Sequence, residues 1–370
     1  MAYTGETIFL RIYDLGGTVN LPQARAALGP LAERAAPKTP RSAPEYVNFG
    51  DPLALNLNAL GLELGSAAGR PVRLSARLHE VGGLALLLRV PVEAATLGLF
   101  AQAGEWRGTW EGTGGGVRDL FERVEDRLLE ILKPSVDAFF PIQIEAERYT
   151  IFAVTGPACD GERLLDEQRA QIAGLLLSEA QPERLSAGEI EDTLRQRFSY
   201  YRDDLVVVDW DAAFVLEPSG AYEDLLYVFE VANLQLLVLR KYDRYLDGVL
   251  ERGYGEFEAL AKRPRLVAQQ AWRMSRELAE VRMDMAKVSD ELANTSKFFG
   301  EWYLARVYMG VAGRLHVTDF RRTVDEKLET LKDLYQNVLH EIDVRRSMLL
   351  EMMIVALIVF EIVLAFLGWM

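Results

Sequence analysis

Cysteine and histidine are scarce in this sequence, and basic charge is outnumbered by acidic charge. One cysteine, Cys159, stands in 370 residues, which excludes an intrachain disulfide framework and a zinc site built from cysteines. None of the three histidines forms a pair with metal-ligand spacing, so zinc or catalytic-triad chemistry is not indicated. The net charge of −14 disfavours nucleic acid, which needs basic patches. These absences favour a protein partner and predict no cofactor.

One long apolar run stands apart from the otherwise polar and acidic sequence. Residues 352–370 are apolar except for Glu361. A helix of about 20 residues crosses the ~30 Å hydrocarbon core of a bilayer, so the run is predicted to be a transmembrane anchor. Arg345 and Arg346 precede the run and no Lys or Arg follows it, which predicts that the bulk of the chain is cytoplasmic. Heavy use of Ala, Leu, Gly and Arg suggests a bacterial genome, and therefore a single-pass protein of the bacterial inner membrane.

Glu361 lies inside this predicted anchor and has two interpretations. Intramembrane acids are candidate functional residues, and a protonated Glu361 would hydrogen-bond a neighbouring helix in a homo-oligomer. Ala365 and Gly368 would allow close helix approach there, because small residues favour helix packing in membranes. In the alternative interpretation, Glu361 faces lipid and is merely tolerated. The first interpretation predicts a homo-oligomer that contacts the bilayer through this helix.

The first half of the chain alternates strand-like and helix-like segments. Apolar or β-branched runs bounded by Gly, Pro or Asp predict strands at 7–13, 72–78, 84–92, 149–155 and 205–208. Helical candidates occur at 22–28, 117–132, 164–177 and 187–197. The alternation predicts the fold class α+β, with a mixed α/β head domain at residues 1–217.

The second half has the pattern of long helices. Apolar residues are spaced alternately by four and three positions at 225–250, 274–302 and 320–349, which is the seam of a coiled-coil-like helix. Short connections between such helices favour antiparallel neighbours. We therefore expect a long-helix antiparallel bundle at 218–351, followed by one transmembrane helix at 352–370.

Two charged residues fall on these seams. Asp243 and Arg345 occupy positions that the periodicity points inward, and an unpaired buried charge is costly. One hypothesis is that each finds an opposite charge across the bundle, either on the other of these two residues or on a third, and that the pairing fixes the helix register. The alternative is a drifting heptad phase that leaves both residues half-exposed.

Four acidic residues form the most catalytic-looking cluster of the sequence. They surround one predicted strand and are Asp203, Asp204, Asp209 and Asp211. Paired carboxylates can hold Mg²⁺, which would suit a metal-dependent enzyme. Aspartate is also a common turn former, and the alternative is a turn between strands at 205–208 and 212–216. In the second interpretation these residues have a structural role, and the sequence then predicts no metal-binding residues.

Three blocks of the sequence resemble a known family. They are YYRDDLVVVDWDAAFVLEP, VFEVANLQLLVLRKYDRYLD and VRRSMLLEMMIVALIVFEIVLAF. Their order is similar to that in the required-for-meiotic-nuclear-division family, which includes bacterial YagE-like proteins and mitochondrial inner-membrane members. The motif positions of that resemblance are Asp209, Trp210, Asn233, Gln235, Arg240, Asp243, Arg346 and Glu351. The resemblance implies membrane-anchored homo-oligomers that in mitochondria support translation, and it implies no enzymatic reaction.

These observations predict a noncatalytic, membrane-tethered oligomeric scaffold. Its role would be to hold a cytoplasmic protein partner at the inner membrane. One alternative is a membrane-anchored metal-dependent enzyme that uses the Asp203–Asp211 carboxylates. Another, which follows only from the mitochondrial resemblance, is a translation- or ribosome-associated membrane tether.

Overall fold

Alternating apolar residues build a large β-sheet in the first 220 residues. The computed structural model describes residues 2–33, 52–60, 62–110, 113–138, 144–259, 273–274, 276, 278–279, 281–283 and 302–367. The strands are β1 (Tyr3–Asp14), β2 (Gly17–Val19), β3 (Leu53–Asn56), β4 (Ser66–Ala67), β5 (Arg70–Pro71), β6 (Arg73–Leu78), β7 (Gly83–Ala94), β8 (Arg107–Trp110), β9 (Thr113–Gly116), β10 (Val136–Ala138), β11 (Glu147–Gly156), β12 (Arg197–Phe198), β13 (Leu205–Val208) and β14 (Ala212–Leu216). Eight of them form one sheet in the order β12-β13-β14-β11-β1-β7-β6-β3.

The described helices differ greatly in length. They are α1 (Leu21–Leu28), α2 (Phe100–Ala103), α3 (Val117–Leu132), α4 (Gly161–Leu176), α5 (Ala187–Thr193), α6 (Glu223–Ala259), α7 (Trp302–Arg314) and α8 (Val317–Leu367). Local sequence sets several of their starts. At α4, the Asp160 carboxylate accepts a hydrogen bond of 3.0 Å from the Arg163 N–H, which satisfies a main-chain donor that the helix leaves free. The Ser186 hydroxyl caps α5 in the same way.

Strands β1 and β11 form the centre of the sheet. They are antiparallel, and β11 is parallel to β14, so the sheet is mixed. At Gly5 the two central strands approach closely, because a Cβ there would lie 1.9 Å from the Ala153 carbonyl oxygen. Only glycine is compatible with this spacing.

The two faces of the sheet have different coverings. Along β7, Leu86 and Leu88 belong to a buried cluster that also contains residues of α1 and α3. A second cluster on β11, β13 and β14 packs against α4. Successive residues of a strand point to opposite faces, so Leu87 and Arg89 point away from these clusters. On that second face, Arg89 bonds to Glu223 at the start of α6.

The chain divides into two compact units. One contains residues 1–241 and 289–321, and the other contains residues 242–288 and 322–370. Helix α6 includes the predicted seam at 225–250, and α8 includes the one at 320–349. Most of the third seam, at 274–302, lies outside the described residues. The predicted domain boundaries after residues 217 and 351 stay predictions.

The predicted fold class is wrong at its C-terminal element. The structure is mixed α/β with an eight-stranded sheet, and within the described ranges no helix is long and apolar enough to cross a membrane. Within the predicted anchor, the structure describes the side chains of residues 352–363. Glu361 lies among them. The predicted transmembrane anchor is therefore contradicted, and with it the contact with a lipid bilayer and the inner-membrane location.

Candidate functional site

The predicted carboxylate cluster surrounds the turn between β13 and β14. The Asp209 N–H donates to the Ala212 carbonyl at 2.8 Å, which closes the turn over Trp210 and Asp211. The buried Asp209 carboxylate accepts a hydrogen bond from Arg314 at 2.7 Å. Partial burial lowers the pKa of Arg314, but hydrogen bonds to Asp209 and a second carboxylate outweigh burial and raise it. Asp209 is thus held by a permanent cation, whereas Asp211 lines a cavity.

The other two acids of the cluster lie in the loop before β13. The Asp204 carboxylate accepts hydrogen bonds from the N–H groups of Tyr200 and Tyr201, at 2.7 and 3.0 Å. Burial raises the pKa of Asp204, and these two donors counteract it. Asp203 is exposed. In the part of the chain that the structure describes, no three His, Cys, Asp or Glu side chains come together as a metal site would require.

The motif positions on α6 make contacts within the first unit. The Asn233 amide donates to a main-chain carbonyl one turn earlier at 2.8 Å. The Tyr308 hydroxyl donates to the Gln235 side chain, which ties α7 to α6. Arg240 donates to Glu147 at the start of β11. Gln235 and Arg240 therefore connect α6 to α7 and to β11, whereas the Asn233 contact lies within α6 itself.

The seam residue Asp243 lies in the second unit. Its carboxylate accepts a hydrogen bond from Lys327 of α8 at 2.7 Å, and Lys327 also pairs with Asp247. Asp243 thus has an opposite charge across the helix pair, on Lys327. The side chains of Arg345 and Arg346 lie outside the described residues, so the hypothesis for Arg345 stays a prediction.

A buried carboxylate that sequence reasoning missed lies between α6 and the sheet. Glu230 is 0% exposed and accepts hydrogen bonds from Arg77 at 2.5 Å and from His79 at 2.7 Å. Burial raises the pKa of Glu230, but the Arg77 guanidinium and the His79 imidazole outweigh burial and bring it below its usual value. The period-two placement of Arg73, Ser75 and Arg77 along β6, continued by His79 directly after it, was the available sequence signal.

Two further contacts hold α6, and the residue that precedes it, against β1. Glu6 accepts hydrogen bonds from Arg89 at 2.8 Å and from the Tyr222 hydroxyl at 2.9 Å. Lys241 donates to Asp14 at 2.8 Å. With Glu230, these contacts hold the first five turns of α6 against one face of the sheet. The charged groups in this interface are paired with each other and serve the packing of the helix.

The C-terminal part of α8 carries exposed apolar side chains. Their exposed fractions lie between 48% and 63%, and they are Met348, Leu349, Leu350, Met352, Met353, Ile354, Val355, Leu357, Ile358, Val359, Phe360, Ile362 and Val363. Glu351 and Glu361 are exposed among them. The side chain of Ala365 and all of Gly368 lie outside the described residues.

A cavity of about 600 Å³ opens on the face of the sheet opposite α6. Its floor is formed by residues of β1 and β11, including Thr7 and Phe152, and one wall by α4. Four acidic residues belong to its lining: Glu105, Glu179, Glu183 and Asp211. Partial desolvation and the neighbouring charge of Asp209 raise the pKa of Asp211.

The comparisons with known proteins correct the resemblance to the meiotic-nuclear-division family. The family model described as "Uncharacterized protein MJ0711, N-terminal domain" matches residues 4–223. "Uncharacterized protein MJ0711" of Methanocaldococcus jannaschii is 25% identical over 248 residues, which are 67% of this chain and 73% of that protein. No solved structure matches the chain.

These matches overturn the predicted membership of the meiotic-nuclear-division and YagE-like family. Two of its motif positions, Arg240 and Asp209, make ion pairs within this fold. The prediction of a bacterial inner-membrane protein is not supported by this relative, which is archaeal. The matched family model spans more than half of the 370 residues. The chain therefore belongs to the family described as "Uncharacterized protein MJ0711, N-terminal domain".

Proposed function

We propose that this chain is a noncatalytic scaffold that assembles into a homo-oligomer through the C-terminal part of α8 and holds a protein partner. The observation that carries the proposal is the exposed apolar surface of that helix, from Met348 to Val363. Soluble proteins rarely expose continuous apolar surface of this extent, and such surfaces mark interaction sites. The surface runs around the helix, because consecutive residues such as Ile354 and Val355 are exposed alike.

The occupants that fit this surface are the same helices of further copies. A helix that is apolar all round is buried all round in a folded assembly, and one partner helix covers only one side of it. Several copies supply the remaining sides with surfaces of the same chemistry. The proposed scaffold is therefore an oligomer without a membrane tether. The tether is contradicted, since no described helix could span a membrane.

A noncatalytic role is supported by the contacts of the candidate acids. Asp209 is neutralised by Arg314, and Asp204 is bonded to main-chain N–H groups. The buried Glu230 is paired with Arg77 and His79. Catalytic acids and bases need access to a substrate, and these contacts restrict that access for Asp209, Asp204 and Glu230. The ribosome-associated alternative rested on the corrected resemblance and has no other support.

The test is the mass of the full chain in solution by light scattering after gel filtration. We expect a defined multiple of the monomer mass. The variant Ile354→Gln/Leu357→Gln/Ile358→Gln changes three exposed apolar residues and should be monomeric, since each change removes apolar surface from the contact.

The matched control changes three exposed polar residues of the same helix, as Glu329→Gln/Lys332→Gln/Asp333→Asn. It should keep the mass of the unmodified chain. A monomeric full chain, a heterogeneous aggregate without a defined mass, or an apolar-to-Gln variant of unchanged mass would each refute the proposal.

A further inference from the structure

The first unit exposes most of its large apolar side chains around one helix. Among the residues that the structure describes in this unit, six such side chains are exposed, and five of them lie on α7 or on two loops beside it: Tyr200, Tyr201, Trp210, Trp302 and Met309. Tyr200 packs against Tyr303 of α7, with ring centroids 5.6 Å apart. Trp210 packs against His316, the second residue after α7, at 5.0 Å. We call the surface formed by these five side chains the α7 face.

Helix α7 lacks the polar outer side of an ordinary surface helix. Its inner side lies on the sheet, so close that a Cβ at Gly310 would be 2.3 Å from Cζ of Phe198 in β12. The outward positions are spaced alternately by three and four residues, as in the seam of a helix pair, and are Trp302, Ala305, Met309 and Ala312. A helix that is apolar on both sides is normally buried on both sides. The outer side of α7 therefore has the pattern of a surface that a second helix covers.

The α7 face is large enough for a specific interface. An aromatic side chain offers about 150–250 Å² for burial, and all five side chains of the face are more than half exposed, so covering them removes about 600 Å² from solvent. A standard interface buries about 800 Å² on each partner. Aromatic residues and Met, which make up this face, are enriched at the centres of protein interfaces.

The charge on α7 selects the class of partner. Residues 302–318 contain two arginines and a histidine but no acid. Arg314 is bonded to two carboxylates. Arg306 lies over the Phe198 ring, 6.0 Å from its centroid, and no carboxylate pairs with it among the described residues. A second α7 offers no acid to Arg306, so the complementary occupant is a different helix, with an apolar seam and an acidic flank.

A single-stranded nucleic acid fits the α7 face less well. Exposed aromatic rings beside an arginine can stack bases. However, Asp203 and Asp211 are exposed in the two loops of the face, and the chain has a net charge of −14, so a phosphate backbone laid across the face is repelled. A helix directs its acids along one flank only, towards Arg306.

We propose that the α7 face binds an acidic amphipathic helix of a protein partner. The apolar seam of that helix packs on Trp302 and Met309, and its acidic flank pairs with Arg306. Recognition of a helix through apolar anchors spaced by three, four and seven residues is a recurring mode of peptide binding. The inference rests on the proposed scaffold function, because it names the surface with which the scaffold holds its partner.

The experiment is fluorescence anisotropy of a labelled synthetic helix titrated with the full chain. The probe has about three heptads, with Leu at both seam positions and Glu on the flanks. We expect saturable binding that added salt weakens. A second peptide with Lys in place of every Glu should bind at least about tenfold more weakly, although a net charge of −14 favours it in any nonspecific attraction. A third peptide with Gln in place of every Leu, and an oligouridylate, should not bind.

Three variants and a matched control assign the binding to the α7 face. Trp302→Gln and Met309→Gln should each raise Kd about tenfold or more, because central apolar anchors carry most of the binding energy. Arg306→Gln should abolish the preference for the Glu peptide over the Lys peptide. Leu99→Gln changes the sixth exposed apolar side chain of the unit, outside the α7 face, and should leave Kd within about twofold. Trp302, Met309 and Leu99 are exposed, so these variants should keep the Tm of the unmodified chain, which verifies that they fold.

Several results would overturn the inference. They are no saturable binding of the Glu peptide, tighter binding of the Lys peptide or of oligouridylate, and an unchanged Kd in Trp302→Gln and Met309→Gln. A lower mass of Met309→Gln than of the unmodified chain in light scattering would also overturn it, because a second copy would then occupy the face.

The failure of this inference is distinguishable from failure of the proposed assembly. An oligomer of defined mass that does not bind the Glu peptide refutes the site on α7 and leaves the assembly through α8 standing. A monomeric chain that binds the peptide through Trp302 and Met309 does the opposite.

Discussion

Glu230 carries a fully buried charge in the first unit. It is 0% exposed and paired with Arg77 and His79. Glu230→Gln keeps the shape but leaves these cations without their counter-charge, and breaking a buried pair costs about 3–5 kcal/mol. We expect a loss of that size in the free energy of unfolding, measured by urea titration at pH 7.

Glu223 provides the matched control on the same helix. It is also paired with an arginine, Arg89, but its side chain is exposed. Exposed pairs contribute about 0–1 kcal/mol, so Glu223→Gln should change stability little. The pKa of Glu230 is lowered in the folded chain, so the effect of Glu230→Gln should shrink as pH falls through that pKa. Equal losses in the two variants would contradict the assignment of Glu230.

The sequence was sufficient to single out some important residues but not to predict which residues they contact. Asp209 and Trp210 were singled out and do form a defined turn, but the cation that holds Asp209 is Arg314, more than 100 positions away along the chain. Glu230 escaped notice because a helical glutamate is normally exposed.

At the scale of elements, local patterns located many strands and helices. The predicted helix 117–132 is α3, and the predicted strand 205–208 is β13. Hydrophobic periodicity determines such elements locally. The order of strands in the sheet was not predicted, because pairing such as β11 with β14 depends on contacts between distant parts of the chain. The apolar segment of α8 was predicted to be an anchor from its length, its apolar composition and the arginines that precede it.

The contact between α6 and α8 in the second unit yields an element-scale prediction. Lys327 lies 2.7 Å from Asp243, and both side chains are more than 70% covered. A double-mutant cycle with Asp243→Asn and Lys327→Met should give a coupling energy of about 0.5–1.5 kcal/mol in urea unfolding. The exposed pair Arg322 and Glu326, 3.8 Å apart on α8, should couple by only about 0.3–0.5 kcal/mol. A smaller coupling for Asp243 than for this pair would refute its role in helix register.

For the whole molecule, opposing pKa shifts set the dependence of stability on pH. Burial raises the pKa of Glu6, but Arg89 and the Tyr222 hydroxyl outweigh burial and bring it below its usual value. Glu6, like Glu230, therefore contributes stability that is complete above its unfolded pKa of about 4.3 and is lost in acid. On α3, burial and the neighbouring acids Asp126 and Glu122 raise the pKa of Glu125 to about 7.

Glu125 should therefore limit stability on the alkaline side. Its folded pKa lies above the unfolded one, so the stability associated with its protonated form is present below about pH 4.3 and is lost as pH rises through about 7. Together with the acid limb from Glu6 and Glu230, this places the maximum of Tm near pH 4.3, because stability falls from there as pH rises towards 7. Glu125→Gln should flatten the alkaline limb, raising Tm at pH 8 and leaving it nearly unchanged at pH 4.

Calorimetry of both proteins across this range is the measurement, with Glu130→Gln as the exposed control on the same helix. An alkaline limb that is as steep in Glu125→Gln as in the unmodified chain would show that other groups cause it.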